Sequence, residues 1–160
     1  MAIIGEGNIA KVLNDRDGAI FFASGVSNSS TKDRKAFERE FNLLARQPQD
    51  KCLFYFSTIS RYYGSSEYVI HKIVMERAVK KWFENYNIIR IGNLEGDTNP
   101  NTFLNALRAK RDAGEPVEIL DEYRYMISKE QLLLLTDNLP LIGKNEINAF
   151  GTMAKVKDLL

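Results

Sequence analysis

Apolar residues fall into short blocks separated by polar, glycine-bearing turns, and the blocks alternate between two periods. Ala2–Ile4 is a very short apolar run ended by Gly5. A short helix over about Asn8–Asn14 follows, stopped by Asp15-Arg16-Asp17-Gly18. Ala19–Ser24 (AIFFAS) is strand-like. Phe37, Phe41 and Leu44 then recur at i, i+4, i+7 and mark one helix face. Cys52–Ser57 (CLFYFS) is a continuous apolar strand. Residues 66–84 make a long helix with a wide apolar arc, and Asn87–Ile91 (NIIRI) the next strand. Asn99 as N-cap, Pro100 in the first turn and Gly114 as stop predict a helix over 100–113. Pro116–Leu120 reads as a short strand. Ser128-Lys-Glu-Gln131 is a capping box before another helix, Ile147–Phe150 a last strand, and Thr152 the cap of a final helix to Leu160.

Strand and helix in alternation, with strands apolar on both faces, predict an α/β fold of three αβα layers around a mainly parallel sheet. Ligands of such sheets sit beyond the carboxyl ends of the strands, where strand order reverses. Chemistry is therefore sought just after Ile4, Ser24, Ser57 and Ile91.

Composition narrows the options. The 160 residues suit one domain, and 22 basic against 21 acidic side chains give a net charge of +1 without a run of one sign. That removes the usual electrostatic footprint of a nucleic-acid or membrane-surface protein. One cysteine and one histidine leave no disulfide framework and no dense Cys/His metal site. With no membrane-length apolar run and no signal-peptide pattern, the expectation is a cytoplasmic, metal-free domain. Cys52, opening an apolar strand, reads as a small core residue, and His71 as a packing or surface residue.

The strand ends are not bland. Gly5-Glu-Gly7-Asn-Ile-Ala10 follows the first strand, and glycines there let a backbone turn tightly and approach a pyrophosphate. A strand-to-helix turn that merely needs glycine would read the same. Ser24–Ser30 (SGVSNSS) offers small and hydroxyl residues, either to a ligand or as a polar loop capped at Ser30 or Thr31. Ser57-Thr58 ends the third strand. Tyr68 and Lys72 follow four apart on the helix, on one side of it. Gly92 and Asn93 suit a tight reversal beside a ligand.

In order along residues 3 to about 96, GEGNIA, FASG, STISRYYG, YVIHK and RIGNLEG resemble the short-chain dehydrogenase/reductase superfamily, specifically its extended branch that modifies sugar nucleotides. The resemblance implies a Rossmann-like fold. It makes Tyr68 a general acid/base and Lys72 the cation that lowers its pKa and holds the nicotinamide ribose. Thr58, with Ser57 as second choice, would hold the substrate oxygen. Gly5, Gly7, Asn8 and Ile9 would meet the pyrophosphate, Ala23, Ser24 and Gly25 line the cofactor, and Asn93 stand near the nicotinamide or the substrate. Residues about 97–145 would form a small substrate-side portion of the single domain 1–160.

The chain also departs from that pattern. A full member has two further βα units between the glycine turn and the next matching strand, whereas here only about a dozen residues separate Ala10 from AIFFAS, room for one crossover. The first strand should then be a sheet edge, with the adenosine side truncated. Neither Asp15 nor Asp17 stands where an acid would meet the ribose, and the turn ends in Ala10 rather than glycine. Two functions follow: an NAD- or NADP-dependent epimerase, dehydratase or reductase acting on a nucleotide-activated sugar, or a catalytically lapsed relative that binds a nucleotide or sugar nucleotide or serves as a subunit. The wide arc on residues 68–83, with helix 32–46, is where a homodimer would form.

Overall fold

The computed structural model describes residues 2–118 and 122–160. In chain order its elements are β1 (Ile3–Ile4), β2 (Ala19–Phe22), α1 (Arg34–Ala45), β3 (Cys52–Thr58), α2 (Glu67–Trp82), β4 (Tyr86–Ile91), β5 (Asn93–Leu94), α3 (Phe103–Asp112), β6 (Tyr123–Ile127), α4 (Lys129–Asn138), β7 (Lys144–Ala149), β8 (Thr152–Lys155) and α5 (Val156–Leu159). A 3₁₀ turn over Ile59–Tyr62 links β3 to α2.

Five strands, in the order β1-β2-β3-β4-β7, form one all-parallel sheet. Its two faces separate residue by residue, as the two-residue period of a strand requires. Ile20, Phe22, Leu53, Tyr55 and Ile88 pack under Leu44 of α1 and Met75 and Val79 of α2. Phe21, Phe54, Phe56 and Ile89 face the other way, onto Leu132 of α4 and the turn around Leu13. The expected three-layer Rossmann-like arrangement is present, and β1 is a sheet edge because no strand among the described residues lies outside it. A smaller sheet, β5-β6-β8, stands beyond β4, with α3 packed on it through Leu104, Met126 and Val156. Among the described residues no helix is long and apolar enough to cross a membrane.

Several sequence expectations shift. Asn8–Asn14 is not a helix: Lys11 N–H reaches Gly7 O at 3.1 Å, and the chain then bends irregularly through Leu13. The segment must return to a neighbouring parallel strand within residues 5–18, which leaves little length for regular turns. Helix α1 is capped not by Ser30 or Thr31 but by Asp33, whose carboxylate accepts from Lys35 N–H. Asn99 does not cap α3. Its side chain accepts from Asn101 N–H and donates to Ser27 Oγ, so the chain turns once more and Thr102 precedes the helix. The Ser128/Gln131 capping box forms as expected. The last main strand begins earlier, at Lys144, and ends at Ala149. Thr152 opens β8 rather than a helix, because pairing with Met126 of β6 draws it into the small sheet. Of the predicted strand 116–120, residues 116–118 are irregular and Ile119–Leu120 lie outside the described residues.

Gly5 closes β1 with φ +122°, and a Cβ there would stand 2.5 Å from Ala23 O. Both the backbone conformation and the contact with a neighbouring backbone exclude a side chain. Gly5→Ala should therefore cost about 1–3 kcal/mol, read as a lowered urea midpoint with an unchanged slope.

Candidate functional site

The carboxyl ends of β1 to β4 open into one cavity of about 660 Å³. Its wall includes Gly7, Asn8 and Ile9 after β1, Ala23, Ser24 and Gly25 after β2, Ser57 and Thr58 at the end of β3, Tyr68 and Lys72 on α2, and Asn93 after β4. Ten of the sequence candidates thus share a cavity with Lys72, as strand-end geometry requires. Gly5 is the exception: it does not line the cavity and serves the β1–β2 approach instead.

Beneath the cavity lies a buried charge cluster. Glu40, on α1, is 0% exposed. Its Oε1 accepts from Lys72 Nζ at 3.0 Å and Tyr55 OH at 2.8 Å, and its Oε2 accepts from Val26 N–H at 2.8 Å. His71 Nε2 lies 2.9 Å from Oε2, and an ionised carboxylate only accepts, so this nitrogen carries the proton. Lys72 also donates to Tyr55 OH at 3.2 Å and is 3% exposed. His71 completes the cluster by stacking on Phe37, with ring centroids 4.4 Å apart, so it is a buried packing residue with a polar task. Gly25 is required above this cluster: a Cβ there would stand 2.6 Å from Lys72 Nζ.

Burial pushes the Glu40 carboxyl up, but the Lys72 ammonium, with the hydrogen bonds from His71, Val26 and Tyr55, outweighs it and holds the pKa at about 2. Burial and the Glu40 charge push the Tyr55 phenol well up. Tyr68 is also raised. Burial is the largest cause; the Lys72 ammonium pulls the other way, Glu40 adds a smaller push upward, and the Thr58 hydroxyl a still smaller pull down. Lys72 thus acts on this phenol in the direction the family resemblance implies, while burial outweighs it in the ligand-free site.

The two hydroxyls at the end of β3 differ. Ser57 Oγ donates to Glu76 Oε1 at 2.6 Å. Glu76 is held in turn by Arg90, through Nε at 3.0 Å and Nη2 at 2.7 Å, and by Arg61. The Ser57 proton is therefore committed to a structural ion network. Thr58 Oγ1 accepts from Ser60 N–H at 3.1 Å and keeps its own proton for the Tyr68 phenol beside it on the cavity wall. Across the mouth, Asn8 donates to Asp97, Thr98 donates to Asn8 Oδ1 at 3.2 Å, and Asn99 donates to Ser27 Oγ at 2.8 Å.

Sequence reasoning missed Glu40, Tyr55 and Asp97. Glu40 had a signal: it stands three residues after Phe37 on the apolar face Phe37/Phe41/Leu44, where an unpaired acid would be costly. Tyr55 looked like one more apolar strand residue, and Asp97 one more polar loop residue.

A dinucleotide fits this site in part. Its nicotinamide-ribose half would meet Tyr68, Lys72 and Asn93, and the space above Gly7 is open, with nothing within 4 Å of where a Cβ would stand. The adenosine half has no cradle among the described residues, since β1 is an edge and no helix follows the glycine turn to face a pyrophosphate.

Because the Glu40 pKa is lowered on folding, its contribution to stability is complete above the ordinary carboxyl value near 4.5 and is lost as pH falls toward about 2. Acid-unfolding curves of the wild type should show this loss, and Glu40→Gln should flatten it. Glu40→Ala, which strands a buried Lys72, should cost about 3–5 kcal/mol by chemical denaturation at neutral pH.

No protein-family model matches the chain, and no curated protein matches its sequence. Solved structures do match in fold. The Bordetella bronchiseptica enzyme WbmG, solved with NAD and UDP, aligns at 14% identity and TM-score 0.63 over 86% of this chain and 52% of its own. UDP-glucuronic acid 4-epimerase from Bacillus cereus, solved with UDP-glucuronic acid and NAD, aligns at 18% identity and TM-score 0.55, covering 84% and 53%. UDP-N-acetylglucosamine 4-epimerase from Methanobrevibacter ruminantium M1, in complex with UDP-N-acetylmuramic acid, aligns at 16% and 0.62, covering 96% and 61%. The chain spans about half the length of WbmG and the B. cereus enzyme. It shares the Rossmann-like fold of these solved structures, with its first strand at a sheet edge.

Proposed function

We propose that the cavity takes a nucleotide-activated sugar beside a nicotinamide cofactor, and that the protein is an NAD- or NADP-dependent epimerase, dehydratase or reductase. The observation that carries this reading is the convergence of Thr58, Tyr68, Lys72 and Asn93 on one cavity that the glycine turn also borders. Tyr68 stands at the start of α2 with its phenol facing a space that Thr58 shares. In this reading Tyr68 moves a proton to or from a sugar hydroxyl and Thr58 holds that oxygen. Lys72 offers its remaining N–H to a ribose, and Ser57 stiffens the strand end through Glu76. A bound nicotinamide would supply the hydride acceptor. Lys11, Arg39 and Arg124 also line the cavity and give a diphosphate positive partners. Residues about 97–145 contribute the substrate side. Ile70 and Val74, exposed on α2, give a second copy an apolar strip to cover.

A second reading, a lapsed relative that binds a nucleotide or sugar nucleotide without turnover, is favoured by two observations. The glycine turn has no helix behind it, and Glu40 holds Lys72.

Fluorescence titration separates the readings. The enzyme reading expects saturable binding of NADH or NADPH below millimolar concentration, and no binding of either at millimolar levels rules it out. Tyr68→Phe should then keep nucleotide-sugar binding and lower turnover by about 10²–10⁴-fold. Under the second reading the same substitution changes nothing. Light scattering should find a dimer, with Ile70→Glu shifting it to monomer.

A further inference from the structure

We infer that Glu40 is a positioning residue that sets the protonation state of Tyr68 by holding the Lys72 ammonium in a closed, neutral pair. The inference rests on the reading of Tyr68 as the proton-transfer group. Its structural basis is independent of any cofactor.

Lys72 has three N–H donors. One goes to Glu40 Oε1 and one to Tyr55 OH, while Tyr55 OH donates back to the same Glu40 oxygen. The three groups close a ring, so the ammonium cannot approach Tyr68 without breaking two bonds. The Lys72 Nζ stands 5.9 Å from the centre of the Tyr68 ring. At that range a lone ammonium favours the phenolate, but an ammonium with a carboxylate 3.0 Å away acts as a short dipole and favours it far less. Glu40 has no freedom to leave, since Val26 N–H and His71 Nε2 hold its other oxygen and the loop at Gly25 closes over the pair.

Other ionisable groups surround the site. Glu76 and His71 stand on the same helix as Tyr68, Tyr55 on β3, and Glu6, Lys11, Arg39, Tyr63, Asp97 and Arg124 on the cavity wall. Glu76 is neutralised by Arg61 and Arg90, which leaves Glu40 as the acid that decides how much of the Lys72 charge Tyr68 feels. The site is thereby set to donate a proton from a neutral phenol rather than to accept one at a phenolate.

The test is a pH titration of Tyr68 in the ligand-free protein, followed by NMR on carbon-labelled tyrosine and assigned with Tyr68→Phe. Glu40→Gln frees Lys72 and should lower the Tyr68 midpoint by about one pH unit or more. The double variant Glu40→Gln/Lys72→Met removes the pair as a unit and should leave the midpoint near that of the wild type. An unchanged midpoint in Glu40→Gln overturns the inference. So does a double variant that rises by about a unit, because Lys72 would then already act on Tyr68 in the wild type. The double variant buries no lone charge, so it decides the question even where the single one does not fold. Failure here leaves the nucleotide-sugar reading standing, since no ligand is added.

Discussion

The carboxylate of Glu40 ties four parts of the molecule to one point: α1 that carries it, Tyr55 of β3, His71 and Lys72 of α2, and the Val26 amide of the loop after β2. An ionised acid with no exposed surface is tolerable only when its lone pairs are all engaged, and here four donors engage them. The consequence is geometric as well as electrostatic. The two helices on one face of the sheet are locked in register with each other and with the central strand.

A second ionic group braces the other side of the cavity floor. Glu76 joins α2 to β4 through Arg90 and to the 3₁₀ turn through Arg61, and it fixes Ser57. Arg90 continues to Glu146 on β7, whose carboxyl is lowered chiefly by Lys80 and also by Arg90. Helix α2 thus carries one ionic anchor per turn on its buried side, Lys72 and Glu76. Tyr68 stands one turn before Lys72, near the start of α2, and lines the cavity from a helix anchored below it.

The fold was legible because its signals are local. Continuous apolar strands such as CLFYFS and NIIRI admit only a sheet covered on both faces, and Phe37, Phe41 and Leu44 announce a helix above it. The edge position of β1 followed from counting residues, since no second unit fits before Ala19. What stayed hidden depends on long-range partners. Thr152 is a strand residue only because β6 lies beside it, and Asn99 gives up its capping role because Ser27 is within reach. The pairing of Lys72 with Glu40 joins residues far apart in sequence. The motif around Tyr68 displays the lysine but not the acid that holds it.

The nucleotide-sugar site proposed for this fold would lie over a lysine already engaged from below. A crystal structure grown with a UDP-sugar and NAD tests it most directly. The account expects the sugar beside Thr58 and Tyr68, with Lys72 Nζ still bonded to Glu40. A ligand bound elsewhere, or a Lys72 swung away from Glu40 onto the Tyr68 hydroxyl, would contradict it.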